Sequence, residues 1–128
     1  MAGLKLKVYY EDTDAGGVVY YANYLRFLER ARTEFLAGAG ISVAEFHRKG
    51  FVFTVTHVDI SYRRPAALGD VIEINTELKE VKNASLTFGQ RVVRDGALIA
   101  EAEVTLACVG PGGKPRRLPE ELKNLRKS

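Results

Sequence analysis

The sequence predicts an α+β domain, in which one long helix covers a five-stranded, mostly antiparallel sheet. Three observations carry this. Residues 21–36 have the apolar spacing of a long amphipathic helix. One run before that stretch and four after it alternate apolar and polar residues, the period of a half-buried strand. The dimensions also agree. A helix of about 17 residues is roughly 25 Å long, and five strands at about 4.8 Å spacing measure roughly 19 Å across.

The first strand is expected over Leu4 to Tyr10, with Leu4, Leu6 and Val8 on one side and Lys5 and Lys7 on the other. Asp12 and Asp14 end it, because an aspartate carboxylate takes up nearby backbone N–H groups and so favours turns. Gly16 and Gly17 allow left-handed dihedrals and close approach of another group. In the helix, Tyr21, Tyr24, Leu25, Leu28, Ala31, Phe35 and Leu36 share one face, opposite Asn23, Arg26, Arg30, Thr33 and Ala37. Arg32 falls inside the apolar stripe and is expected to pair with Glu29 on the same helix. Gly38 and Gly40 terminate the helix. Ser42, with Glu45 three residues on, reads as a capping box that opens a short second helix. Gly50 closes it, and His47 falls on its exposed side.

Four strands follow. From Phe51 to Arg63 the alternation changes phase: Phe51, Phe53 and Val55 favour one face, Val58, Ile60 and Tyr62 the other. A bulge near His57 reconciles them. Pro65 and Gly69-Asp70 mark a turn. Val71 to Val81 sets Ile72, Ile74, Thr76 and Leu78 on one face. Ser85 to Arg94 sets Leu86, Phe88 and Val92 against Thr87, Arg91 and Val93, with Gln90 on the inward face. Asp95-Gly96 is a hairpin signal. Leu98 to Val109 places Leu98, Ala100, Ala102, Val104 and Leu106 inward. Gly110-Pro-Gly-Gly-Lys-Pro ends the sheet, and Pro119 suits the first turn of a short last helix.

At 128 residues, 46% hydrophobic and 27% charged, the chain has the make-up of one soluble domain. No apolar run is long enough to span a bilayer. The start, Met-Ala-Gly-Leu-Lys-Leu-Lys, lacks the apolar core of a signal peptide, so a cytoplasmic location is expected. Cys108 stands alone, which excludes an internal disulfide. His47 and His57 are too few and wrongly spaced for a zinc site, and no cofactor motif is present. The net charge of +3 is concentrated in a basic tail over residues 110–128. Such a tail could hold nucleic acid, an anionic membrane or a ligand's phosphates, but on composition alone a solvated terminal segment explains it better.

The opening turn carries the functional signal. It places carboxylates just ahead of a helix N-terminus, whose unpaired N–H groups carry about half a positive charge. That is an arrangement fit for a developing oxyanion. On the residues alone, Asp12 and Asp14 read first as turn and cap residues.

Beyond the residues themselves there is a resemblance. Its carriers are Tyr10-Glu-Asp12-Thr-Asp14-Ala-Gly-Gly-Val-Val-Tyr20, Asn23-Tyr24, Glu29-Arg-Ala-Arg-Thr33, Ser61-Tyr-Arg-Arg-Pro-Ala66, Gly69-Asp70, Phe88-Gly-Gln90 and Pro115-Arg-Arg-Leu-Pro119. In this order they resemble the acyl-CoA thioesterases of the 4-hydroxybenzoyl-CoA thioesterase superfamily, and within it the Tol–Pal-associated branch known as YbgC. The resemblance implies a hotdog fold over residues 1–128, a sheet wrapped around the helix. It implies hydrolysis of an acyl-CoA, or of an acyl group on a carrier protein, without metal or cofactor, at sites between subunits of a homodimer or homotetramer. Asp14 would be the catalytic carboxylate, acting as general base or as nucleophile, and the backbone N–H at Tyr21 would polarise the carbonyl. Many members of the branch carry histidine where this chain has Tyr21, so the acyl preference does not transfer. Gly17 would let substrate approach, and Arg63, Arg91 and Arg116 are candidates for the coenzyme's phosphates. Asp12 keeps its structural reading.

Other functions fit the sequence less well. A non-catalytic acyl-CoA-binding module on the same fold leaves Asp14 without a purpose. A dehydratase calls for an active-site histidine, and neither histidine lies in a matching motif. Nucleic-acid binding would rest on the basic tail alone.

Overall fold

The computed structural model describes residues 3–125. Arg126 and Lys127 of the basic tail lie outside the described residues. One sheet holds five strands in the order β1-β3-β4-β5-β2, every neighbouring pair antiparallel. The strands are β1 (Leu4–Lys7), β2 (Val52–Tyr62), β3 (Val71–Val81), β4 (Ser85–Arg94) and β5 (Ala97–Val109). Helix α1 (Tyr24–Gly38) lies on one face, and two short helices, α2 (Val43–Arg48) and α3 (Glu120–Lys123), complete the chain. Among the described residues no helix is long and apolar enough to cross a membrane.

Helix α1 buries Tyr24, Phe27, Leu28, Ala31, Arg32 and Leu36. The expected face is corrected at its first turn, where Tyr21 is 63% and Leu25 43% exposed and Phe27 takes the core position. The reason is local. Residues Tyr21–Asn23 form a 3-10 turn ahead of α1, and its three residues per turn put Tyr21 out of phase with the helix. Beyond Gly38, the Gly40 N–H bonds to the Ala37 carbonyl and the Ile41 N–H to that of Leu36, with Gly40 at φ +81°. Ser42 caps α2 by accepting the Glu45 N–H at 3.1 Å.

Arg32 does not pair with Glu29, which accepts instead from the Thr33 hydroxyl at 2.7 Å. Its guanidinium, 7% exposed, donates to Gln90 Oε1 at 3.0 Å. Gln90 in turn donates to the Leu28 carbonyl at 2.9 Å and to Thr76 Oγ1 at 3.1 Å. A polar bridge between helix and sheet thus runs through the core. Burial pushes the Arg32 guanidinium down from its ordinary value, and Glu29 pulls it back.

The bulge expected near His57 is present: Val55 pairs with Leu106 and His57 with Thr105, leaving Thr56 over. It brings Phe53, Val55, Val58, Ile60 and Tyr62 to the inner face together, opposite Cys108, Leu106, Val104, Ala102 and Ala100. A second bulge corrects the reading of β5. Val92 pairs with Ala100 but Val93 with Leu98, so Ile99 is the extra residue. Ile99 is fully buried and Leu98 only half-buried. The first strand is shorter than expected, because Tyr10–Asp12 turn into a 3-10 helix.

The turn before β3 is fixed by Asp70, whose Oδ2 accepts the Ala67 N–H and Arg94 Nη1, both at 2.7 Å. The Ala67 bond first, and Arg94 after it, hold the Asp70 carboxyl below the ordinary carboxylate value. A carboxyl depressed by folding contributes stability above its unfolded pKa and loses it as pH falls through the folded one. Asp70→Asn is therefore expected to melt below wild type at pH 7. The gap should close as pH drops from about 4, the unfolded aspartate value, towards 2. Melting curves across that range check it, and a constant gap would remove Asp70 from the acid response.

Candidate active site

The acidic turn and the start of the helix are built as one unit. The Asp12 carboxylate, 8% exposed, accepts the Tyr9 N–H at 2.8 Å with Oδ2 and Asn23 Nδ2 at 2.9 Å with Oδ1. One side chain thereby joins the end of the first strand to the entry of α1. The chain then doubles back. Asp14 N–H donates to the Val18 carbonyl at 2.9 Å, Gly17 N–H to that of Asp14 at 3.0 Å, and Tyr20 N–H to that of Asp12 at 2.9 Å. Gly17 sits at φ +79°, which a residue with a side chain adopts only under strain. Its carbonyl accepts the Leu68 N–H at 3.0 Å, and Val19 N–H bonds to the Ala66 carbonyl at 2.8 Å. The loop is moored at both points on the segment that follows β2.

Asp14 stands at the tip of this loop, exposed in the single chain. Its Oδ1 accepts the Gly16 N–H at 2.8 Å, closing an Asx turn. Oδ2 makes no hydrogen bond or ion pair among the described residues. Two aspartates two residues apart have different surroundings: Asp12 is buried and fully engaged, Asp14 exposed and half engaged.

Past the loop, the N–H groups of Tyr21 and Ala22 open the 3-10 turn, and neither has a backbone acceptor among the described residues. Beside them lies a cleft of about 290 Å³ lined by Val19, Tyr21, Tyr24, Tyr62, Arg63, Arg64 and Pro65. Tyr24 meets Phe27 edge-on and Tyr62 at 5.4 Å between ring centres. The Tyr62 hydroxyl donates to the Tyr21 carbonyl at 2.9 Å. Sequence reading passed over Tyr62 as a site residue. Its signal was the alternation Val58, Ile60, Tyr62, which puts it on the helix side of the sheet.

Arg63 and Arg91 share one depression, and Arg116 stands apart from both. Arg63 lines the cleft and is paired with Glu101, Nη2 to Oε2 at 3.1 Å. Arg91 projects from the sheet face turned away from α1, since its neighbour Val92 is fully buried. There it edges a depression of about 510 Å³ together with Arg63, Asn75, Gly89 and Glu103. Arg116 lies over the Phe51 ring, 3.8 Å from its centre, and donates to the Gly50 carbonyl at 2.9 Å. The cation–π contact and the hydrogen bond give Arg116 a share in tying down the tail. Arg116→Ala is expected to cost about 1 kcal/mol, seen as a fall of a few degrees in melting temperature. An unchanged melting curve would show that the guanidinium does not hold this end of the fold. Among the described residues no three of His, Cys, Asp and Glu gather to hold a metal ion.

A five-stranded antiparallel sheet with one long helix is the architecture of the hotdog-fold thioesterases, and this chain belongs to the thioesterase-like superfamily, which matches residues 8–125. A solved relative, a probable thioesterase from Bartonella henselae, superposes with a TM-score of 0.85 at 35% identity, covering 91% of this chain and 98% of that one. Within the family the chain is similar to the acyl-CoA thioester hydrolase YbgC of Escherichia coli O6:H1. The two are 45% identical over 119 residues, which is 91% of this chain and 89% of the relative. The acyl-CoA thioesterase YbgC of Haemophilus influenzae is 43% identical over 120 residues, 92% of this chain and 88% of its own. The resemblance read from the opening turn holds for superfamily and branch alike.

Proposed function

We propose that this thioester hydrolase cleaves an acyl-CoA, or an acyl group on a carrier protein, to the free acid and thiol, with Asp14 as the catalytic carboxylate. The observation that supports it most is the exposed, half-engaged Asp14 held in one hydrogen-bonded unit with the unpaired N–H groups of Tyr21 and Ala22. Donors at a helix entry stabilise the oxyanion formed when the thioester carbonyl is attacked. Two routes use the same carboxylate. Asp14 takes a proton from an attacking water, or it adds to the carbonyl itself and the mixed anhydride is then opened by water. In both, the thiolate leaves and is protonated by solvent. Gly17 keeps the loop free of a side chain at the point of approach, and Arg63 at the cleft is placed to meet a phosphate. Arg91 and Arg116 would do so only from outside the cleft.

The assembly belongs to the same reading. Strand β2 is an edge strand, and on its inner face Val55, Val58 and Tyr62 are 47%, 36% and 44% exposed. Pairing with a second copy along this edge would occupy its free N–H and C=O groups and cover those side chains. It would also enclose Asp14 between subunits. A homodimer, or two such pairs, is the working form in this reading, and the cytoplasm its place.

The direct test is thiol release from propionyl-, isobutyryl-, benzoyl- and palmitoyl-CoA and from the corresponding acyl carrier protein thioesters. Saturable turnover of at least one is expected. Tight binding of any of them without hydrolysis would replace the enzyme by a carrier.

A further inference from the structure

We propose that Tyr62 is a positioning residue for hydrolysis: from the end of β2 its hydroxyl grips the Tyr21 carbonyl and keeps the N–H groups of Tyr21 and Ala22 aimed at the thioester. The inference rests on the hydrolase reading above and adds a residue to it.

The turn that carries these donors needs an outside hold. It is a single 3-10 turn, Tyr21–Asn23, with Tyr20, Tyr21 and Ala22 all exposed. Its own side chains provide no cap at Tyr20. A helix entry of this kind frays, and a donor that wanders stabilises a transition state poorly, because the benefit of an oxyanion hole lies in being aligned beforehand. Among the described residues, two side chains from elsewhere in the chain hydrogen-bond to the turn. The Asp12 carboxylate takes hold of Asn23 at its far end. At its near end the Tyr62 hydroxyl donates to the Tyr21 carbonyl at 2.9 Å, which also accepts the Tyr24 N–H.

The position of that bond matters. The Tyr21 carbonyl belongs to the peptide whose N–H is that of Ala22. A donor on the oxygen of a peptide polarises it and strengthens the hydrogen bond its N–H can give. Tyr62 thus acts on the donors in two ways, by fixing their direction and by sharpening one of them. Its ring is itself held, edge-on to Tyr21 with centres 6.4 Å apart and against Tyr24 at 5.4 Å. Burial pushes the Tyr62 hydroxyl up from its ordinary value, so it remains a donor through neutral pH.

The test uses the full chain in its native oligomer and, as probe, whichever of the acyl-CoA and acyl carrier protein thioesters named above it turns over best. Tyr62→Phe keeps the ring and removes only the hydroxyl. It should lower kcat about tenfold, a fraction of the hundredfold or more that follows loss of a whole oxyanion donor, and leave KM within about twofold. A second readout comes from the same thioester labelled with ¹³C at its carbonyl and bound to Asp14→Asn. The carbonyl stretch should lie below its solution frequency, and adding Tyr62→Phe should move it back towards that frequency. A structural loss elsewhere in the sheet would not do this. If wild type turns over and Tyr62→Phe matches its kcat, changes KM alone, or leaves the stretch unmoved, Tyr62 is merely a wall of the cleft and the proposal is wrong. If wild type hydrolyses none of the probes, the hydrolase reading fails first and takes this one with it.

Discussion

Asp14→Asn should lower kcat for thioester hydrolysis by about a thousandfold, within the range for loss of a positioned acid–base group, and leave the melting temperature within a degree or two. The stability half follows from the site. Asp14 is exposed, and its one side-chain bond among the described residues, from the Gly16 N–H to Oδ1, is kept by the amide oxygen of asparagine. The activity half follows from chemistry, since an amide neither takes a proton from water at neutral pH nor adds to a thioester. Single turnover of wild type in ¹⁸O-labelled water tests for direct attack. Label in the Asp14 side chain shows an anhydride opened at the Asp14 carbonyl, and water activation never places it there. Turnover by Asp14→Asn close to that of wild type would remove Asp14 from the mechanism.

The second large effect lies in the core. Gln90→Met should cost about 3 kcal/mol, or about 10 °C in melting temperature for a chain of this size. Three partners lose at once: Arg32, the Leu28 carbonyl and Thr76 Oγ1. The worst of these is Arg32, a guanidinium left buried with its Gln90 partner gone. Adding Arg32→Met removes the stranded charge, so the double variant should be more stable than Gln90→Met alone. Denaturant unfolding of the four proteins in that cycle measures the coupling. Losses that simply add would mean that Arg32 finds water enough without Gln90.

These two sites differ in how far the sequence reveals them. The loop is local. Asp12, Asp14, Gly17 and the entry to α1 lie within a dozen residues, and turn chemistry and helix capping act over that range, so its shape could be read directly. The same holds for Gly40 after α1, for Ser42 before α2, and for Asp95-Gly96, both at positive φ between β4 and β5. The phase change in β2 was legible as a bulge because both halves carry apolar residues. The bulge at Ile99 was not, because Leu98 and Ile99 are both apolar and pattern alone cannot say which turns inward. Arg32 was assigned to its helical neighbour Glu29, while its true partner stands 58 residues away on β4. Distance along the chain hid Tyr62 in the same way, since its bond to Tyr21 spans 41 residues. That Arg63 and Arg91 share a depression while Arg116 stands apart depends on strand register and on the path of the tail, neither of which composition encodes.

The extra residue at Thr56 has a consequence for life in a crowded cell. An edge eleven residues long would, if straight, offer a ready template to any unfolded strand that drifted by, including this chain as it leaves the ribosome. The kink breaks that template into two shorter lengths with different twist. A stray segment can match one length at a time, and only a surface carrying the same kink in mirrored order fits both. The irregularity thus works against runaway aggregation along this edge.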